Sequence, residues 1–153
     1  MMNEWFECKV RYEKTLENGL VKKVTEPYLV DALSFTEAER RFIEEIEPFM
    51  SGEFQVTDIK RAKYAELFET DEDAADRWFK AFITLDEKSG AEKKSNQNML
   101  IQASDLRDAV KRLDKGMEGT MADYEIASIA ETPIMDVFHY KAEADEKPEF
   151  PET

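Results

Sequence analysis

Tyr28-Leu-Val-Asp-Ala32 and Met99-Leu-Ile-Gln-Ala103 decide the reading of this chain. Each is a short apolar run that ends in alanine and leads into a segment of helical periodicity, and the two lie 71 positions apart. The same offset carries Ala38 onto Ala109, Arg41 onto Arg112 and Phe42 onto Leu113. After the loss of one residue, Phe54, Val56, Ile59 and Phe68 fall on Tyr124, Ile126, Ile129 and Phe138. Order, spacing and apolar pattern persist together, which is the signature of an internal repeat.

Upstream of the first stretch, Phe6, Cys8, Val10 and Tyr12 alternate with Glu7, Lys9, Arg11 and Glu13, the period-two pattern of a strand with one buried face. Asn18-Gly19 then predicts a hairpin turn. Pro27, which has no N–H to donate, predicts an edge or a bulge in the second strand. A capping box of Thr36 and Glu39 opens a helix whose apolar stripe is Phe35, Ala38, Phe42, Ile43 and Ile46, and Pro48 stops it. Phe54, Val56 and Ile59 predict a further strand with a register break, running on to Phe68.

Trp5-Phe6 returns as Trp78-Phe79, and Ser89-Gly90 answers to Asn18-Gly19. The strand from Trp78 to Leu85 is apolar on both faces and is expected at a central position or under the other half. The expected fold is therefore α+β, with tandem duplicated ββαβ units, mainly antiparallel strands, one helix packed on each half and a pseudo-twofold relation between them. The expected boundaries are 3–68 for the first repeat, 69–76 for an acidic linker, 77–140 for the second repeat and 141–153 for a disordered acidic tail. Strand order, open or barrel-like, is left undetermined by the pattern.

At 153 residues, with 42% hydrophobic and 37% charged residues, the chain can build a core without a staple. Cys8 is the one cysteine, so no disulfide forms within the chain, and with His139 as the one histidine a Cys/His zinc site is excluded. The N-terminal residues lack the basic start and apolar stretch of a signal peptide, and no segment is apolar for long enough to span a bilayer. Cytoplasmic location without membrane association is the expectation. The run from Asp71 to Asp76 fails as a calcium loop, because Asp76 stands where glycine is required and Phe82 where glutamate is required.

The net charge of −14 repels phosphates in general. Even so, Lys9, Arg11, Lys22, Lys23, Lys60, Arg61 and Lys63 accompany Trp5, Tyr12, Tyr28 and Tyr64 on the predicted strands, as on a sheet that contacts single-stranded nucleic acid. Phe150, between Pro148 and Pro151 in an acidic context, has the character of a peptide ligand for a basic, apolar pocket on a partner. No phosphate loop, nucleophile elbow or catalytic triad is present, so no catalytic residue and no cofactor is expected. Acidic pairs such as Asp31 with Asp58 offer the two carboxylates of a dyad, but the sequence does not place them at the required separation. Cys8 shares its face with apolar residues and reads as packing.

The stretches Val24-Thr-Glu-Pro-Tyr-Leu-Val-Asp-Ala-Leu-Ser-Phe-Thr-Glu-Ala-Glu39 and Gly119-Thr-Met-Ala-Asp-Tyr-Glu-Ile-Ala-Ser-Ile-Ala-Glu-Thr132, with Ile134-Met-Asp-Val-Phe138, resemble an uncharacterised family of short proteins from gut anaerobic bacteria and their phages. The resemblance covers residues 3–140 and brings no assigned activity or site residues. It implies a bacterial or phage-related setting. The resulting expectation is a non-catalytic binding or assembly protein whose partner is another protein. The alternative is an accessory protein that contacts single-stranded nucleic acid or a replication protein, and third comes a small enzyme with a carboxylate-based site.

Overall fold

The computed structural model describes residues 4–87, 93–120 and 123–139. The chain forms two compact units, one made of residues up to Ala62 together with the segment from Asp136, the other of Lys63–Met135. The turn expected at Ser89-Gly90 and the tail from residue 141 lie outside the described residues.

In the first unit, β1 (Glu4–Thr15) and β2 (Val21–Ala32) pair antiparallel from Glu4↔Ala32 to Thr15↔Val21. The hairpin closes as the sequence predicts. Gly19 adopts φ 86°, its N–H donates to the Leu16 carbonyl at 2.9 Å, and the Asn18 side chain accepts from Leu20 N–H at 3.0 Å. Only a residue without a Cβ takes that conformation at no steric cost. The strand β3 (Phe54–Ala62) pairs antiparallel on the other side of β1, and the register breaks between Lys9 and Val10. Because of this bulge, Val56 and Ile59, three positions apart, face the same core.

Helix α1 (Phe35–Ile46) covers one sheet face. It buries Ala38, Phe42 and Ile46 against Phe6, Cys8, Val10, Val30 and Ala32. Full burial of a side chain such as Phe42 contributes about 1.5–3 kcal/mol. A 3-10 turn over Glu47–Phe49, with Pro48 in its first positions, ends the helix. The cap differs from expectation. Ser34, not Thr36, is the N-cap, accepting from Glu37 N–H at 3.2 Å, while the Glu37 carboxylate accepts from Leu33 N–H at 2.7 Å. Ser34 and Glu37 show the same three-residue spacing as Thr36 and Glu39. The geometry selects the earlier pair because the extended strand β2 has just ended there.

The second unit repeats these features one by one. Its strand β5 (Arg77–Glu87) pairs with β6 (Lys93–Ala103) and with β7 (Asp123–Thr132), and the register breaks between Phe82 and Ile83, the counterparts of Lys9 and Val10. Asp105 caps α2 (Leu106–Gly116) as Ser34 caps α1, and Asp108 accepts from Ser104 N–H as Glu37 does from Leu33. Ala109 and Leu113 are fully buried, as Ala38 and Phe42 are. The fold is α+β, with two four-stranded sheets and one helix in each half, and the ββαβ repeat layout fits it. β5 is central as expected.

One element departs from the sequence reading. The strand expected to continue to Phe68 ends at Ala62, and Glu66–Phe68 forms a separate strand, β4, parallel to β6 in the second unit's sheet. Its counterpart β8 (Val137–Phe138), which follows β7, pairs parallel to β2 in the first unit's sheet. The partners are equivalent: Phe68↔Ile101 in one sheet, Phe138↔Val30 in the other. Each repeat thus gives its last strand to the sheet of the other, and the strand orders are β3-β1-β2-β8 and β4-β6-β5-β7. Because β8 pairs with only Leu29 and Val30, Pro27 sits on a stretch of β2 that β8 leaves uncovered, where its missing N–H costs nothing.

The segment 69–76 is tied to the second unit. Gln102 accepts from Thr70 N–H and donates to the Ala75 carbonyl, both at 2.9 Å, and Glu72 pairs with Arg112 at 3.0 Å.

Gly116, the last residue of α2, lies under the Phe68 ring, and a Cβ there would come within 2.5 Å of it. Alanine would add about 1 kcal/mol of helix propensity, but overpacking against an aromatic ring costs about 1–3 kcal/mol. Gly116→Ala is therefore expected to lower stability in urea-induced unfolding. An increase would show that Phe68 has room to withdraw.

Candidate functional site

Past Tyr12, β1 continues for three residues that pair with no described residue on its β3 side. Phe54 is the first residue of β3 and stands opposite Tyr12, whereas pairing with β2 persists to Thr15↔Val21. The chain between the helix and β3, Phe49–Glu53, lines the gap instead. The result is a groove of about 900 Å³ wrapped around the open edge of β1. By strand alternation it is lined from both sheet faces, with Arg11, Glu13 and Lys23 on one and Tyr12 and Lys14 on the other. Phe49 is 75% exposed and Val21 59% exposed, so the groove presents apolar surface beside three cationic side chains.

Its floor is fixed by a polar cluster. Glu26 is buried, accepting from the Tyr12 hydroxyl at 2.7 Å on one carboxylate oxygen and pairing with Lys14 at 3.4 Å through the other. Burial, followed by the hydrogen bond to Glu26, raises the Tyr12 phenol well above its ordinary value. Tyr12 therefore stays protonated at neutral pH, a donor and not a base. The repeat supplies an internal comparison. The second unit has Leu85, Gln97 and Glu87 at the equivalent positions and still pairs its two strands, so the fold does not require this cluster. By contrast, the pairing of Arg41 with Glu37 recurs as Arg112 with Asp108 and belongs to the shared helix start.

The basic and aromatic residues singled out in the sequence do not form one surface. Lys9, Arg11, Lys23 and Lys60 lie on the helix-free face of the first sheet, interleaved with Glu7, Glu13 and Asp58. Lys22 lies on the helix side. Beyond the bulge Arg61 also faces the helix side, its guanidinium 5.0 Å from the Phe35 ring and 5.6 Å from the Phe6 ring, and it pairs with Glu4. Lys63 falls in the second unit. Tyr28 stacks on Phe138 within the first unit's core, and Trp5 packs edge-on against His139 with ring centroids 5.3 Å apart. Phe150 lies outside the described residues.

Asp31 and Asp58 flank β1 on opposite sides, opposite Trp5 and Lys9. Strand spacing and rise put them about 16 Å apart, beyond the range of a carboxylate dyad. Cys8 is fully buried, and its thiol is pushed up to about 12, first by burial and then by Glu7, Glu39 and Asp58. Its repeat counterpart, Ala81, fills the same core position. Among the described residues no cluster of His, Cys, Asp or Glu is set to hold a metal ion, and no helix is long and apolar enough to cross a membrane. The groove was missed at the sequence level because it arises from where β3 begins; the only local signal was Phe49, an apolar residue directly after the helix-stopping Pro48.

Fold and groove together define a duplicated α+β protein with one open, mixed basic and apolar site in its first unit. The chain belongs to the family described as Domain of unknown function (DUF4494), which matches residues 4–140. No curated protein matches it.

Proposed function

We propose that the chain is a non-catalytic binding protein, and that the groove beside β1 takes an extended, acidic peptide segment of another protein that carries an aromatic side chain. The observation that carries this reading is the open β1 edge at Glu13–Thr15, flanked by exposed Phe49 and by Arg11, Lys14 and Lys23. An unpaired strand edge offers backbone hydrogen bonds to an added strand, and neighbouring apolar and cationic groups select its side chains. The absence of this polar floor from the second repeat supports a role outside folding. A single thiol, buried and unpaired with another cysteine, suits a reducing bacterial cytoplasm, where a bacterial or phage-related protein would act.

The test is a titration of the isotope-labelled full chain with a synthetic decapeptide of Glu, Asp and Ala around one central Phe, followed by amide chemical shifts. Shifts confined to 11–15 and 49–55, with affinity lowered about tenfold by Phe49→Ala as expected for an anchoring aromatic contact, support the site. No shifts at millimolar peptide overturn it. Salt-sensitive shifts at Lys9, Lys23 and Lys60 with single-stranded DNA in place of the peptide would favour the nucleic-acid reading.

A further inference from the structure

We infer that the segment 141–153 of this same chain is an intramolecular occupant of the groove and competes with outside ligands for it. The inference rests on the groove being the binding site, as proposed above, and adds its regulation.

Three observations carry it. First, the segment has the chemistry the groove selects: five acidic residues against two lysines, and Phe150 between Glu149 and Pro151. The family match ends at residue 140, so the segment lies outside the shared domain. Second, the groove lacks the acidic excess of a chain of net charge −14: Arg11, Lys14 and Lys23 stand against Glu13, Glu53 and the buried Glu26 beneath them. An acidic segment is repelled by the chain as a whole and meets balanced charge at this place. Third, the reach is sufficient. His139 is fixed beside Trp5 at one end of β1, and the groove begins at Arg11 and extends past Glu13. The eight residues from Trp5 to Glu13 span about 27 Å of strand. The eleven residues from His139 to Phe150 extend to at most about 40 Å, so Phe150 is within reach of Phe49.

A tethered ligand acts at an effective concentration of about 1 mM, so a segment of about 0.1 mM intrinsic affinity weakens an outside competitor about tenfold. The competition is read in the full chain. The Phe150→Ala, Glu149→Lys variant is expected to bind the decapeptide probe about tenfold more tightly than the parent. Independently, a nitroxide attached at Glu152→Cys, where the buried Cys8 does not compete for label, is expected to broaden the amides of 11–15 and 49–55. Arg11→Glu with Lys23→Glu removes that broadening.

Equal probe affinity in parent and variant, together with unbroadened groove amides, overturns the inference and leaves the groove assignment standing. A probe that binds neither protein overturns both. Broadening that appears when labelled and isotope-enriched chains are mixed assigns the occupant to a second copy and overturns the intramolecular placement.

Discussion

Phe42→Asp abolishes cooperative folding, and Leu113→Asp does the same. Phe42 is fully buried on α1 among Cys8, Val10 and Val30, and its ring lies 5.5 Å from that of Tyr28. Aspartate there forfeits about 1.5–3 kcal/mol of burial. It also places a carboxylate in an apolar interior, where desolvation adds several kcal/mol more unless the group takes up a proton. The sum, about 5 kcal/mol or more, is comparable to the whole stability of an ordinary domain. Leu113 occupies the equivalent position in the second core, on the same helix as Ala109, so the same arithmetic applies. Circular dichroism in urea checks both. A sigmoidal transition that survives with an unchanged midpoint would contradict the helix faces described above.

The second large effect concerns where a lesion is felt. Phe68 follows β3 in the chain but packs with the second core, whereas Phe138 follows β7 and packs with the first. Truncating an aromatic core side chain to alanine costs about 3–5 kcal/mol, and both rings are only partly buried, which places them at the lower end. Phe68→Ala therefore loosens the second unit, and Phe138→Ala the first. Loss of the ring opens β4 from β6, or β8 from β2, because each of these strands is only two or three residues long and the ring is its largest packed side chain.

Much of this architecture is legible in the residues. The alternation of Phe6, Cys8, Val10 and Tyr12, the Asn18-Gly19 turn and the Phe42/Leu113 correspondence report local periodicity, which depends on near neighbours alone. The break between Val56 and Ile59 is likewise visible, since a bulge shifts the apolar spacing from two to three. The exchange of β4 and β8 is not legible, because a strand of two or three residues has no period and its partner lies 33 positions away for β4 and 108 for β8. Arg61 shows the same limit. Strand membership grouped it with Lys60, but neighbouring residues of a strand face opposite sides, and the register past the bulge gives Arg61 the side of Phe6 and Phe35. The groove escaped for a related reason, as it is made by the offset between the end of β1 and the start of β3 and by no motif.

The reciprocal exchange of the last strands is the central claim about this fold, and hydrogen exchange resolved by peptide in the Phe68→Ala variant tests it most directly. The predicted result is lost protection at Met99–Ile101 and in α2, with β1, β2 and β3 unchanged. Lost protection in β1–β3, with β6 and α2 unaffected, would mean that Phe68 belongs to the sheet of its own repeat and would contradict the exchange.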